Sequence, residues 1–492
     1  MRKSGVLMHV SSLPSPCGIG TFGSEARRFV DFLVESGQSC WQVLPLSPTG
    51  YGDSPYQSVS AFAGNPYFID LDMLAEAGLL QKEDYVNFDW GSDPQRVDYK
   101  RLFEARQPVL RMAVERFLDA PVPAFACFCR DNASWLDDYA LFMALKDAHG
   151  GAPWTAWEPP LRSREPHALA QARTQYAEDI AYYQVVQYLF FEQWTFLHAY
   201  ARERGIEIIG DIPIYAAADS ADVWAQPELF ELDAALCPVE VAGCPPDGFS
   251  ADGQLWGNPL YDWERQKKTG YAWWIARIRH ALSVYDVLRI DHFRGFDAYY
   301  AIPFGDEAAR NGQWREGPGI ALFNAFRAAL GELPIIAEDL GFLTDSVRRF
   351  LAESGFPGMK VMQFAFDGNP RNPYLPHNFK PNCVAYTGTH DNDTILGWFE
   401  TAPRGDVERA KEYLRLHPDE SAPRCMLAAL WASCAEMTIA QMQDLLELGS
   451  DARMNTPGTL GGNWQWRMRP DADLRETARW LRHMTELYGR AG

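Results

Sequence analysis

Eight short apolar runs, several of them rich in β-branched residues, recur along this 492-residue chain, typically followed by a polar or glycine-rich segment and then an amphipathic helix. Alternation of this kind leaves few architectures open, because it is the pattern of parallel strands joined by covering helices. The runs fall at residues 6–10, 40–44, 206–212, 287–290, 335–337, 360–365, 383–386 and 437–442. After the first, Ser24 reads as an N-cap with Glu25 beside it, for a helix that carries Phe29, Phe32 and Leu33 on one side and stops at Gly37. A long helix around residues 182–200 stops at Gly205, and another over 345–353 ends at Gly355.

Eight such units are the number a TIM (β/α)8 barrel requires, and a bare barrel uses ~250 residues. The surplus is concentrated between strands. Residues 49–182 are expected to form an inserted, mainly helical subdomain after strand 2, with a helical pattern over 136–146. Residues 218–263 are a Gly- and Pro-rich inserted loop subdomain after strand 3, and residues 304–319 a short insert after strand 4. The chain is therefore read as one α/β barrel over 1–492, with insertions that build walls around the C-terminal face. The alternative, an open doubly wound sheet, lacks the G-x-G-x-x-G after an early strand that its dinucleotide-binding version needs.

Composition narrows the function. The chain is 47% hydrophobic and 22% charged, which is ordinary for a globular protein with a large core. With 45 Lys+Arg against 65 Asp+Glu the formal charge is −20, so the basic footprint that nucleic acid requires is missing. No apolar run approaches the ~18 residues of a membrane-spanning helix. The apolar stretch after Met1-Arg2-Lys3-Ser4 is interrupted by His9, Ser11 and Ser12, so no export segment is expected. Nine scattered cysteines, an odd number, suggest free thiols in a reducing cytoplasm, and Cys127-Phe128-Cys129 has no second half for a zinc site. Seventeen Trp and 21 Tyr suit sugar rings, which have apolar faces and hydroxyl rims, and equally suit a large core.

In a barrel of this kind the chemistry comes from the C-terminal ends of strands. Strand three ends in Gly210-Asp211-Ile212-Pro213, strand four in Arg289-Ile290-Asp291-His292-Phe293-Arg294, strand five in Ala337-Glu338-Asp339-Leu340-Gly341, and strand seven runs into Gly388-Thr389-His390-Asp391-Asn392-Asp393. Carboxylates from several strands thus reach one face, two of them beside a histidine. Asp339 and Asp345 read as helix-capping residues. Period-2 alternation puts Arg289 and Asp291 on the same side of their strand, where a guanidinium would pair with the Asp291 carboxylate. Clustered carboxylates are what retaining glycosyl transfer needs: a nucleophile, and an acid with a raised pKa ~5–5.5 Å away. A third carboxylate can counter the oxocarbenium charge. His292 and His390 can donate to hydroxyls next to the anomeric carbon. The ten histidines show no HExxH or short cluster, and there is no EF-hand, Walker A or GxSxG pattern, so neither metal nor cofactor is expected.

These residues resemble the 4-α-glucanotransferases known as amylomaltases or disproportionating enzymes, relatives of the α-amylases. The likeness runs nearly end to end. It includes Ser11-Ser12-Leu13-Pro14 with Gly18-Ile19-Gly20, Tyr51-Gly52-Asp53-Ser54-Pro55-Tyr56-Gln57, and Gly210-Asp211-Ile212-Pro213-Ile214-Tyr215. Further along it includes Pro245-Pro246-Asp247 with Phe249-Ser250, Gly253-Gln254-Leu255-Trp256-Gly257-Asn258-Pro259, the strand ends just quoted, and Asn455-Thr456-Pro457-Gly458-Thr459. The resemblance implies that Asp291 is the nucleophile, Glu338 the general acid/base and Asp391 the transition-state stabiliser. It places Asp211, Arg289, His292 and His390 in the active site, Tyr56 as an aromatic platform under the sugar, and Gln254, Trp256 and Asn258 on or beside a loop over the glucan. It also implies a barrel without the C-terminal β-sandwich of ordinary amylases, α-1,4-glucans as donors, and glucose or another glucan as acceptor. The same first step serves an α-amylase-type hydrolase. Transfer instead of hydrolysis requires an acceptor held in place and water kept out, with Gly253 and Gly257 as hinges of a lid carrying Trp256.

Overall fold

The computed structural model describes residues 2–50, 52–246, 252–341 and 343–491. Tyr51, Asp247, Phe249 and Ser250, which carry parts of the motifs above, lie outside the described residues. Twelve strands occur among the described residues. In chain order they are β1 (Lys3–Leu7), β2 (Cys40–Gln42), β3 (Glu207–Ile212), β4 (Glu240–Cys244), β5 (Gln254–Pro259), β6 (Val287–Ile290), β7 (Ala298–Pro303), β8 (Gln313–Glu316), β9 (Ile335–Ala337), β10 (Gly358–Val361), β11 (Cys383–Tyr386) and β12 (Met437–Gln441). Eight of them close an all-parallel barrel in the order β1-β12-β11-β10-β9-β6-β3-β2. These are the eight runs read from the sequence, and the architecture is the expected TIM barrel.

The differences lie at strand ends. The first strand is Lys3–Leu7 instead of 6–10, because its ladder to β12 begins at Lys3 opposite Met437, and the chain turns into a short 3-10 helix at Val10–Ser12. The sixth barrel strand is Gly358–Val361 instead of 360–365, and Met362–Phe364 already form a 3-10 turn. Gly358 is required there: a Cβ would lie 2.7 Å from an oxygen of the Asp339 carboxylate, which accepts from Met359 N at 2.6 Å. Asp339 therefore grips β10 and does not cap a helix. Asp345 sits in the first turn of the helix Asp345–Ser354, whose cap is Thr344. Ser24 is likewise inside its helix, Ser24–Glu35, with Gly23 at the cap position.

The segment between β2 and β3 holds, among others, the helices Tyr99–Asp119, Pro123–Ala148 and Ala177–Glu203. The segments 218–263 and 304–319 both contribute strands to one further sheet, which β7 completes. In it β5, β4, β7 and β8 pair antiparallel in that order. Sequence periodicity missed this sheet because its strands are short and the pairing that joins its two halves, β4 with β7, links residues far apart in the chain. No helix among the described residues is long and apolar enough to cross a membrane.

The barrel seam between β1 and β12 is clipped by Arg490, which follows the helix Arg475–Leu487 and is fully buried. Its guanidinium donates to the carbonyls of Trp431 (2.8 Å), Ala435 (2.9 Å), Ser433 (2.9 Å) and Lys3 (3.2 Å). Arg490→Met fills similar space but removes these four donations, although Ser433 O keeps Arg2 Nη1 as a donor at 2.8 Å. It is expected to lower the unfolding free energy by about 3 kcal/mol, read as a lower denaturation midpoint with unchanged activity per folded molecule.

Candidate active site

Strand register creates the site. Asp211 of β3 lies opposite Arg289 of β6, and Ile290 of β6 opposite Ala337 of β9. Asp291 and Glu338 are therefore the next residues on adjoining strand ends. Asp291 N donates to Ile212 O at 2.9 Å, and Glu338 N to Ile290 O at 3.1 Å. Neighbouring strands lie ~4.8 Å apart, so the two carboxyl side chains leave the barrel mouth from adjacent backbones. Gly210 is needed just below: a Cβ would fall 2.1 Å from the Tyr285 ring.

Arg289 organises the acidic end. Its Nη1 donates to Asp211 Oδ2 at 2.6 Å and its Nη2 to Asp291 Oδ1 at 2.8 Å, as same-face alternation anticipated. The Arg289 side chain is 3% exposed, that of Asp211 0% and that of Asp291 30%, so of the three Asp291 faces the opening. Burial works against the Arg289 charge, but the two carboxylates more than offset it and hold its pKa well above the ordinary value. Burial pushes Asp211 up to about 7, against the pull of Arg289. Its short contact is to an obligatorily charged guanidinium, and Asp211 acts here as an acceptor. Its Oδ2 also accepts from Tyr56 Oη at 2.8 Å, while its buried Oδ1 has no partner among the described residues.

Glu338 is held by the backbone. Its Oε2 accepts from His292 N and its Oε1 from Leu340 N, both at 2.7 Å. His292 reaches this geometry by adopting a left-handed backbone (φ 52°), uncommon for a residue with a side chain. Burial first, and then the Asp291 charge, push the Glu338 carboxyl up to about 8, despite Arg289 and the two backbone donors. His292 is held neutral mainly by burial, with Arg294 adding to the effect, and its pKa falls to about 3. Its Nε2 is buried without a partner among the described residues.

Asp391 comes from the loop beyond β11, across the barrel mouth from Asp291. Its Oδ1 accepts from Asn455 Nδ2 at 2.6 Å and lies 3.5 Å from His390 Nε2. Arg453 Nη2 donates to its carbonyl at 2.7 Å. The His390 ring stacks on Tyr56 with centroids 5.2 Å apart, and Trp464 leans on both rings. Tyr56 thus links the two sides, touching Asp211 through its hydroxyl and His390 through its face.

The loop-borne residues form the rim. Trp256 Nε1 donates to Gln254 Oε1 at 3.0 Å, and the indole meets the His292 ring edge-on at 4.8 Å. Gly253 and Gly257 take positive φ (70° and 78°), which suits glycine and little else. Asn258 is buried and its amide is used internally, accepting from Gln57 Nε2 at 2.9 Å and donating to Ala216 O at 2.9 Å. Asn258 therefore anchors the strand that carries Trp256 and does not present its amide to the opening. The sequence reading assigned no role to Gln57, Arg453, Asn455 or Trp464. Gln57 and Asn455 lie within motifs already quoted, whereas Arg453 and Trp464 flank one of them without a spacing signal of their own. Among the described residues no group of three or more His, Cys, Asp or Glu side chains is placed to hold a metal ion.

A barrel whose strand ends converge buried and half-open carboxylates around one arginine, beside stacked aromatic rings, belongs to the class of enzymes that act on glycosidic bonds through paired carboxyl groups. A sequence model described as 4-alpha-glucanotransferase matches residues 8–473. The chain is 49% identical over 485 residues to a 4-alpha-glucanotransferase of Clostridium butyricum, covering 98% of this chain and 100% of that one. It is 50% identical over 496 residues to one of Streptococcus pneumoniae, covering 99% and 97%. The solved structure of an amylomaltase from Streptococcus agalactiae in complex with acarbose superposes with a TM-score of 0.98 at 47% identity, covering all of both chains. The chain belongs to the 4-alpha-glucanotransferase family, and its activity is 4-α-glucanotransfer.

Proposed function

We propose that the enzyme moves α-1,4-linked glucan segments to the 4-hydroxyl of glucose or another glucan by double displacement. Glu338 protonates the glycosidic oxygen while Asp291 Oδ attacks the anomeric carbon, so the C–O bond breaks, the reducing-end fragment leaves, and a β-linked glucosyl ester forms on Asp291. Glu338, now ionised, takes the proton of the acceptor 4-hydroxyl as that oxygen displaces the ester and restores the α-bond. Asp391 counters the oxocarbenium charge and binds ring hydroxyls. Arg289 aims Asp291. Asp211 holds Arg289 and Tyr56 in place from beneath, His292 and His390 offer groups to sugar hydroxyls, and the Tyr56 ring supplies a face for the sugar. Gln254 and Trp256 close over the glucan, with Asn258 anchoring their strand, while residues 49–182, 218–263 and 304–319 wall the site as inserted subdomains of one catalytic barrel. Nine unpaired cysteines suit a reducing cytoplasm.

The observation that carries this reading is the register that sets Asp291 and Glu338 on adjoining strand ends with Arg289 joined to Asp291. Incubation with maltotriose tests it. Glucose is expected together with a ladder of longer glucans, at a constant number of reducing ends, because transfer makes one α-1,4 bond for each it breaks. Glucose and maltose alone, with reducing ends rising, would overturn the acceptor half of the proposal.

A further inference from the structure

We infer that Asp444, outside the sugar-binding opening, is a positioning residue for the loop that carries Asp391. That loop leaves β11 at Thr387 and enters the helix Ile395–Thr401. Both of its ends meet the Asp444 carboxylate, in the short helix Met442–Leu445 after β12. Thr387 Oγ1 donates to Asp444 Oδ2 at 2.8 Å, and Ile395 N donates to Asp444 Oδ1 at 2.7 Å. Asp444 is 1% exposed, and Thr387 and Ile395 are 0% exposed, so water does not compete for these bonds. Between the pinned ends, Asn392 Oδ1 accepts from Thr389 N and Gln363 Nε2 donates to Asp393 O. The loop therefore has little slack, and the direction of Asp391 follows the spacing of its two ends.

A forked acceptor suits this task. A carboxylate offers one oxygen to each donor, and no cation neutralises it in the hydrogen bonds it makes. Burial raises its pKa to about 7, with the Asp393 charge adding, so keeping a carboxyl group here works against the fold rather than for it. Asparagine can still accept from Ile395 N and can turn its amide toward Thr387, whose hydroxyl is able to accept. Alanine loses both links, and valine at 387 loses one.

The inference rests on Asp391 being the transition-state stabiliser, and the test separates the two ideas. With the full-length enzyme and maltotriose, Asp444→Ala is expected to lower kcat ~10–100-fold, the scale on which misplacement of a reacting group acts, with KM little changed. Asp444→Asn should restore most of that loss, and Thr387→Val should fall between them. A role confined to stability would instead lower the thermal midpoint and leave kcat per folded molecule intact. With α-maltosyl fluoride as donor, Thr387→Val should cost nothing further in an Asp391→Asn background, because the link acts through Asp391. Parent-like kcat in both Asp444→Ala and Thr387→Val, or an equal cost of Thr387→Val in both backgrounds, would overturn the inference. If Asp444→Ala does not fold, Thr387→Val and Asp444→Asn carry the test alone. Should Asp391→Asn itself turn over maltotriose like the parent, the role given to Asp391 fails instead.

Discussion

Asp291→Asn is expected to cut transfer from maltotriose by at least ~10⁴-fold, the scale on which loss of a covalent nucleophile acts, while the protein stays folded. Asparagine occupies the same volume, and its carbonyl oxygen can still accept the Arg289 Nη2 bond now made by Asp291 Oδ1 at 2.8 Å. The amide is not an effective nucleophile, so no glucosyl ester forms and both half-reactions stop. The buried guanidinium keeps its second partner, Asp211, at 2.6 Å. Only a small change in thermal midpoint is expected, since Asp291 is the most open of the three groups. Product ladders from maltotriose, together with a thermal melt, check both halves. Turnover close to that of the parent would remove Asp291 from the nucleophile role.

Glu338→Gln is expected to cost ~10²–10⁴-fold in transfer and to change how the protein responds to pH. The folded carboxyl titrates near 8 because it is buried beside Asp291, so at neutral pH it holds the proton that the leaving oxygen needs. Donor cleavage, read as kcat/KM, should fall as pH rises through about 8 in the parent, and this limb should be lost in the variant. Linkage predicts a second consequence. The folded pKa lies above the ordinary value of 4.5, so between the two the folded state binds the proton that the unfolded state has released. The unfolding free energy therefore declines with rising pH across that window. Its contribution is full below 4.5 and spent above about 8. Glutamine removes this decline. It also turns an amide nitrogen toward one of the backbone donors, His292 N or Leu340 N, which costs a hydrogen bond at every pH. The difference in thermal midpoint, variant minus parent, should consequently grow from pH 5 to pH 8. A flat difference would mean that Glu338 is already ionised in the folded protein at neutral pH.

Much of the barrel was legible because its signal is local. The run at 287–290 and the pair Arg289 and Asp291 are read from a period of two, and the observed strand Val287–Ile290 and its hydrogen bond follow that period. Gly205 and Gly355 were expected to end helices, and both take a positive φ just beyond them. Asp339 misled, because an acidic residue after a strand looks like a helix cap in sequence. Its true partner, Met359 N, belongs to the next strand, and the carboxylate reaches it over the space left by the missing side chain of Gly358. The sheet β5-β4-β7-β8 was not legible for a related reason: its strands are short, and the β4–β7 pairing that joins them links residues far apart in the chain.

The sequence by itself settled which side chains stand at the ends of which strands, since alternation, glycine stops and helical amphipathicity are properties of neighbouring residues. Tertiary structure alone decided what those side chains do to one another. Register set Asp291 beside Glu338, closure of the barrel brought the Tyr56–His390 stack and the Asn455 amide to Asp391, and burial raised the Glu338 pKa. Electrostatic and hydrogen-bonding energies depend on distance in space and on exclusion of water, and neither quantity exists until the chain has closed on itself.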